Sequence, residues 1–214
     1  FRDLGETKII KKNKNTKSSA SFINLFWESK FWGYSFTLAF SAGTFFSFLG
    51  GAPYVATKVY NLNSVVSGLV MGFPAAGYFI GNYLSGRYSK FYGIDYMALR
   101  GILLVIFGMF ICLVITVFYR DTPYFFFGLC SFVGLGNGLI IPNASVGILS
   151  VNENLSGTAG GIGNAIMIGT GAILASLTSY YLENQTSSSY LVFIMLLSGA
   201  LSYTSLYIFV LRNK

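Results

Sequence analysis

Charged residues are so widely spaced that they cut the chain into membrane-length pieces. Uncharged runs cover 31–57, 59–86, 101–119, 122–152, 154–182 and 184–211. Each can hold one helix of ~20 residues across ~30 Å of hydrocarbon, and none readily holds two helices plus a turn. Six transmembrane helices are therefore expected, at about 31–54, 64–85, 97–118, 123–147, 157–181 and 189–211. The runs are continuous and apolar, unlike the alternating ~10-residue strands of a barrel. Composition agrees. Hydrophobic residues make up 54% of the chain and charged residues 10%, with a mean hydropathy of +0.62, whereas a soluble domain carries about 25% charge. The expected fold class is all-α: a six-helix transmembrane bundle over 31–214, preceded by a basic, polar segment over 1–30. The stretch SFINLFWES (21–29) mixes apolar and polar residues, as a surface-lying helix does.

The net charge of +7 raises nucleic acid as a partner, but its distribution points to membrane topology. Arg2, Lys8, Lys11, Lys12, Lys14, Lys17 and Lys30 precede the first span; Arg87, Lys90 and Arg100 cluster between the second and third; Arg212 and Lys214 close the chain. Six crossings put all of these on one side, leaving only Lys58 and Arg120 on the other. Both ends are accordingly expected in the cytoplasm, with lipid rather than nucleic acid as the surrounding partner. Arg100 is the one ionisable residue inside an expected span, about a turn from its end, and snorkelling to the surface suits it.

In lipid the informative residues are the polar and small ones. Tyr34, Thr37, Ser41, Thr44 and Phe48 follow each other at spacings of 3, 4, 3 and 4, so they share one face of the first span, with Phe45 beside them. That face is read as a cavity wall, or as hydroxyls bonding carbonyls one turn back. The second span carries Pro74, which removes a donor and should bend the helix, and two GxxxG pairs, Gly68/Gly72 and Gly77/Gly81. The fourth repeats this theme with Gly134, Gly138 and Pro142, and its Asn137 is either an interhelical hydrogen bond or a cavity amide. The fifth carries a stripe, Gly157, Gly161, Ala165, Gly169, Ala172, Ser176 and Ser179, that needs a partner within the chain or outside it. The third and sixth lack such a stripe and read as lipid-facing. Cys112 and Cys130 read as small packing residues.

Catalytic chemistry is hard to place. The chain has no His, which removes Ser-His-Asp, Cys-His and histidine metal sites together. The seven acids all fall in loops or near span ends, so no enzyme, metal or cofactor is expected, and no obvious coupling carboxylate for proton-driven transport. A channel filter or ring of like charges is equally missing.

Four segments together carry a resemblance: GAPYV (51–55), GNYLSGR (81–87), GLGNGLIIPNA (134–144) and SGTAGGIGNA (156–165). They resemble the C-terminal half of a major facilitator superfamily transporter, in particular the Bcr/CflA-type (bicyclomycin and chloramphenicol resistance) drug:proton antiporters. The loop after the second span looks like a degenerate copy of that superfamily's loop motif, with Gly86, Ser89 and Gly93 at matching positions, Arg87 at a free position, Tyr88 in place of the Leu, Lys90 in place of the acid, Phe91 in place of the arginine, and Ile94-Asp95 where the basic pair belongs. The resemblance implies half of the major facilitator fold, with a bacterial inner-membrane location. It implies an absent N-terminal six-helix half that supplies the coupling acid, protons as coupling ion, and a small amphipathic substrate met by Tyr34, Thr37, Ser41, Thr44, Phe45, Phe48 and Asn137. An independent six-span protein, as a homodimeric carrier or assembly partner, is the alternative.

Overall fold

The computed structural model describes residues 25–119, 121–183 and 185–212. Most of the basic segment, residues 1–24, lies outside the described residues. Its end is helical at 25–27, where Leu25 is buried while Trp27 is 84% exposed. The Trp32 indole N–H donates to the Phe26 carbonyl at 2.8 Å, tying this end to the first span.

Among the described residues six helical segments are long and apolar enough to cross a membrane. The first is α1, Ser29–Tyr54, prolonged by a π-helical turn, Val55–Val59. The second comprises α2, Ser64–Val70, and α3, Phe73–Tyr92. Then follow α4, Ile94–Phe118; α5, Pro123–Val151; α6, Ser156–Leu182; and α7, Ser189–Leu206, with a second π-helical turn at Tyr207–Leu211. No strand occurs among the described residues.

Pro74 and Pro142 act differently. At Pro74 the helix is interrupted by a two-residue turn: α2 ends at Val70, Met71 and Gly72 follow with helical backbone angles, and Pro74 sits in the first turn of α3, where its missing donor costs nothing. At Pro142 the helix runs on, and α5 remains one element with the proline inside it.

One expectation is corrected. Residues 86–95 do not form a loop. The second span continues as helix to Tyr92, and α4 restarts at Ile94 after the single residue Gly93. Arg87 and Lys90 end the apolar run but not the helix, because a charged side chain leaves the backbone hydrogen-bond ladder intact. The stop comes at Gly93, whose φ of 85° and ψ of 157° suit a residue without a Cβ.

Packing follows an exchange between two triplets of spans. The first span, α1, lies against α6 and α7 of the second triplet; the fourth span, α5, lies against α3 and α4 of the first. The two leading helices also touch each other. They form the centre: 67% of the apolar window of the first span is buried and 56% of the fourth, against 22% for the second and 11% for the fifth. The third and sixth spans are not wholly lipid-facing. Gly101 backs onto the Gly136 carbonyl and Gly108 onto Phe132, while Ser198 and Ser202 of α7 donate to the Phe40 and Thr37 carbonyls at 2.7 and 3.0 Å.

Candidate functional site

The site is assembled around the crossing of α3 and α5. Gly77 and Gly81 on one helix interleave with Gly134 and Gly138 on the other. A Cβ on Gly138 would lie 2.6 Å from the Tyr78 carbonyl and 2.7 Å from the Asn82 nitrogen; one on Gly134 would land on the Pro74 carbonyl. The two GxxxG pairs therefore let backbone meet backbone.

This close approach leaves a cavity of about 300 Å³ beside it, lined by Phe45 of α1, Ala75 and Tyr78 of α3, and Gly134, Asn137 and Ile141 of α5. The lining is aromatic and aliphatic, with one carboxamide. Such a volume is at the small end of ligand pockets.

Asn137 is 1% exposed and forms part of a polar bridge between the two central helices. The Ser41 hydroxyl donates to its Oδ1, and its Nδ2 donates to the Thr44 hydroxyl at 3.3 Å. Thr44 in turn donates to the Ser41 carbonyl at 2.6 Å. Both alternatives from sequence are realised in the geometry: Asn137 makes the interhelical bonds and also lines the cavity. The hydroxyl face of α1 turns into the bundle. Thr37 is fully buried, and Phe48 is 1% exposed between Phe45 and Phe127. Of the seven expected cavity residues, only Phe45 and Asn137 line it; Tyr78, not singled out from sequence, does so as well.

Tyr34 lies far from this cavity. Its ring covers Gly147 of α5, and its hydroxyl donates to Asp95 of α4 at 2.5 Å. Asp95 is 9% exposed and sits in the first turn of α4, where a negative charge meets the positive end of the helix dipole. Nearby, the Asn143 amide donates to Ser85 at 2.8 Å, and Ser85 pairs with Ser89 at 3.2 Å. Arg87 reaches back to the Tyr83 hydroxyl at 3.2 Å, while Gly86 has open space around it and Lys90 is exposed. Of the loop-motif positions only Ser89 and Asp95 enter the polar contacts by which Tyr34, Ser85, Asp95 and Asn143 bring four of the spans together at the basic end.

A polar knot closes the opposite end. Asp121, between α4 and α5, accepts from the Tyr60 hydroxyl after α1, from the Ser188 N–H at 2.8 Å and hydroxyl at 2.7 Å, and from the Ser187 hydroxyl at 3.0 Å. Burial, and then the Asp121 carboxylate, raise the Tyr60 hydroxyl far above the ordinary tyrosine range. Sequence gave little warning of this knot, because its members are spread over more than a hundred positions.

The small-residue stripe of α6 is left largely uncovered: Gly157, Gly161 and Gly169 have nothing within 4 Å of a notional Cβ, and only its last member, Ser179, reaches a neighbour, donating to the Gly50 carbonyl at 2.9 Å. Ala165, Ala172 and Ser176 of the stripe are exposed. Gly163 and Gly171, on the other side of the helix, meet Ile148 and Phe46 within the bundle. Gly68 on α2 is as uncovered as the stripe.

Two helix triplets that exchange partners around a small cavity between α1, α3 and α5 make an α-helical bundle of membrane-spanning length. The family model of the Major Facilitator Superfamily matches residues 2–176. The chain belongs to that superfamily of membrane transporters, and its six helices make half of the superfamily's fold. No curated protein matches the chain.

Proposed function

We propose that the chain is the C-terminal half of a secondary transporter that exports drugs or other small amphipathic compounds in exchange for protons, by alternating access. The carrying observation is the uncovered face of α6, where Gly157, Gly161 and Gly169 meet nothing within 4 Å. Small residues without a neighbour suit a surface against which a second six-helix half rocks about a midplane site. That N-terminal half is the proposed partner, and it would complete the cavity at Phe45, Tyr78, Asn137 and Ile141. The apolar, aromatic lining suits an amphipathic substrate, as does the resemblance to Bcr/CflA-type antiporters. Asp95 is the sole buried carboxylate among the described residues, and Tyr34 occupies it at the basic end. A coupling acid in the partner half accords with that. The resemblance favours a bacterial inner membrane, and the charge asymmetry favours both ends in the cytoplasm.

The test is transport by the chain alone. In everted membrane vesicles holding only this chain, an imposed proton gradient is expected to move no ethidium. Robust gradient-dependent export would refute the half-carrier reading in favour of an independent six-span carrier.

A further inference from the structure

We propose that the outer face of α4 is a binding site for one anionic phospholipid, with the phosphate on Arg100 and an acyl chain in the groove beside it. The groove has a volume of about 570 Å³ and is lined by Arg100, Leu103, Leu104, Ile106, Phe107 and Phe110. Arg100, Leu103, Phe107 and Phe110 recur at spacings of 3, 4 and 3, so they share one helix face. Leu103, Phe107 and Phe110 are 43%, 59% and 56% exposed.

Three features select the occupant. The first is charge. Arg100 is exposed, lies within a membrane-spanning helix, and has the Tyr96 ring at 4.9 Å as its contact; no carboxylate pairs with it among the described residues. A cation in that position calls for an anion, and the anionic headgroup of a lipid lies at that depth. The second is length. Ten residues of helix from Arg100 to Phe110 extend about 15 Å, half of the ~30 Å hydrocarbon thickness. The face therefore runs from headgroup depth to the bilayer centre, as one acyl chain does. The third is shape. Bulky, separated side chains leave a furrow; the faces used for helix contact in this bundle carry glycines instead. A free phosphate would satisfy the charge but leave the furrow empty. The site does not depend on what the carrier moves.

The experiment is native mass spectrometry of the full chain, purified in mild detergent and given equal amounts of phosphatidylglycerol and phosphatidylcholine with identical acyl chains. The wild-type chain is expected to retain phosphatidylglycerol about fivefold better, as one arginine at the membrane surface provides. Arg100→Gln should bring the two lipids to parity, Arg100→Lys should keep the preference, and Lys90→Gln, a charge elsewhere at the basic end, should leave it unchanged. Leu103→Trp keeps the charge and fills the furrow, so it should lose both lipids; this covers the case in which Arg100→Gln does not fold. Equal retention of the two lipids by the wild type would overturn the proposal, as would an unchanged preference in Arg100→Gln. Displacement of the lipid by millimolar inorganic phosphate, or a chain dimer that Phe107→Ala dissolves, would also overturn it by naming a different occupant.

Discussion

Gly138→Ala adds one methyl group where α5 crosses α3. Its Cβ would face three backbone atoms, the Tyr78 carbonyl oxygen at 2.6 Å, the Asn82 nitrogen at 2.7 Å and the Gly81 carbonyl carbon at 2.8 Å. None can rotate away as a side-chain tip would. Ordinary contact begins at 3.4 Å, so the helices must part by roughly 0.8 Å, the difference between 3.4 Å and 2.6 Å. Overpacking of this kind costs about 1–3 kcal/mol, and alanine's better helix propensity returns up to ~1 kcal/mol of it. Each remaining kcal/mol lowers Tm by about 2–4 °C in a chain of this size. Cys112 and Cys130 are the chain's two cysteines, both buried and unpaired, so a thiol-reactive fluorophore reports melting directly. Gly138→Ala is expected to melt several degrees below the wild type. Gly161→Ala, with nothing within 4 Å, is expected to melt at or slightly above it. Equal melting of Gly138→Ala and wild type, or an equal fall in Gly161→Ala, would refute the assignment of inner and outer glycines.

Three further outcomes follow from the polar contacts between spans. Tyr34→Phe removes a donor from the buried Asp95 carboxylate and should cost ~1–3 kcal/mol, while adding Asp95→Leu should recover part of the loss; the same melting assay reads both. Tyr60 has a raised folded-state pKa against an ordinary 10.0, so stability should be level below that pH and fall above it, where the unfolded chain ionises first. The wild type minus Tyr60→Phe difference, measured by chemical unfolding from pH 8 to 11, isolates this term; a level difference would count against the Asp121 contact. Ser198→Ala and Ser202→Ala each remove a bond to an α1 carbonyl, and each should cost ~0.6 kcal/mol, additively within error.

Much of the architecture is legible in the amino-acid order. Six uncharged runs give six helices because lipid admits only helices and closed barrels, and continuous apolar runs lack a barrel strand's alternation. The observed bundle departs from the expected boundaries mainly at the ends, where helix outlasts the apolar run. Pro74 foretells an interruption because it lacks a donor, and the glycine pairs foretell close contact because they lack a Cβ. The hydroxyl periodicity of α1 is equally plain, since any helix repeats a face every three or four residues.

What sequence does not contain is the direction of each face. Thr37, Ser41 and Thr44 share a stripe whichever way it points, and only the packing of α5 and α7 against it turns it inward. Likewise Gly77 and Gly161 belong to similar small-residue patterns. One is closed by Ser131 and Leu135 from a span some fifty positions away, and the other is left bare. Asp95 reads as a loop acid until α1 supplies a tyrosine from sixty-one positions earlier. Local chemistry sets which elements form, because backbone hydrogen bonds and side-chain transfer act within a few residues. Tertiary structure alone decides which faces are satisfied and which still await a partner, because that depends on neighbours the chain order keeps far apart.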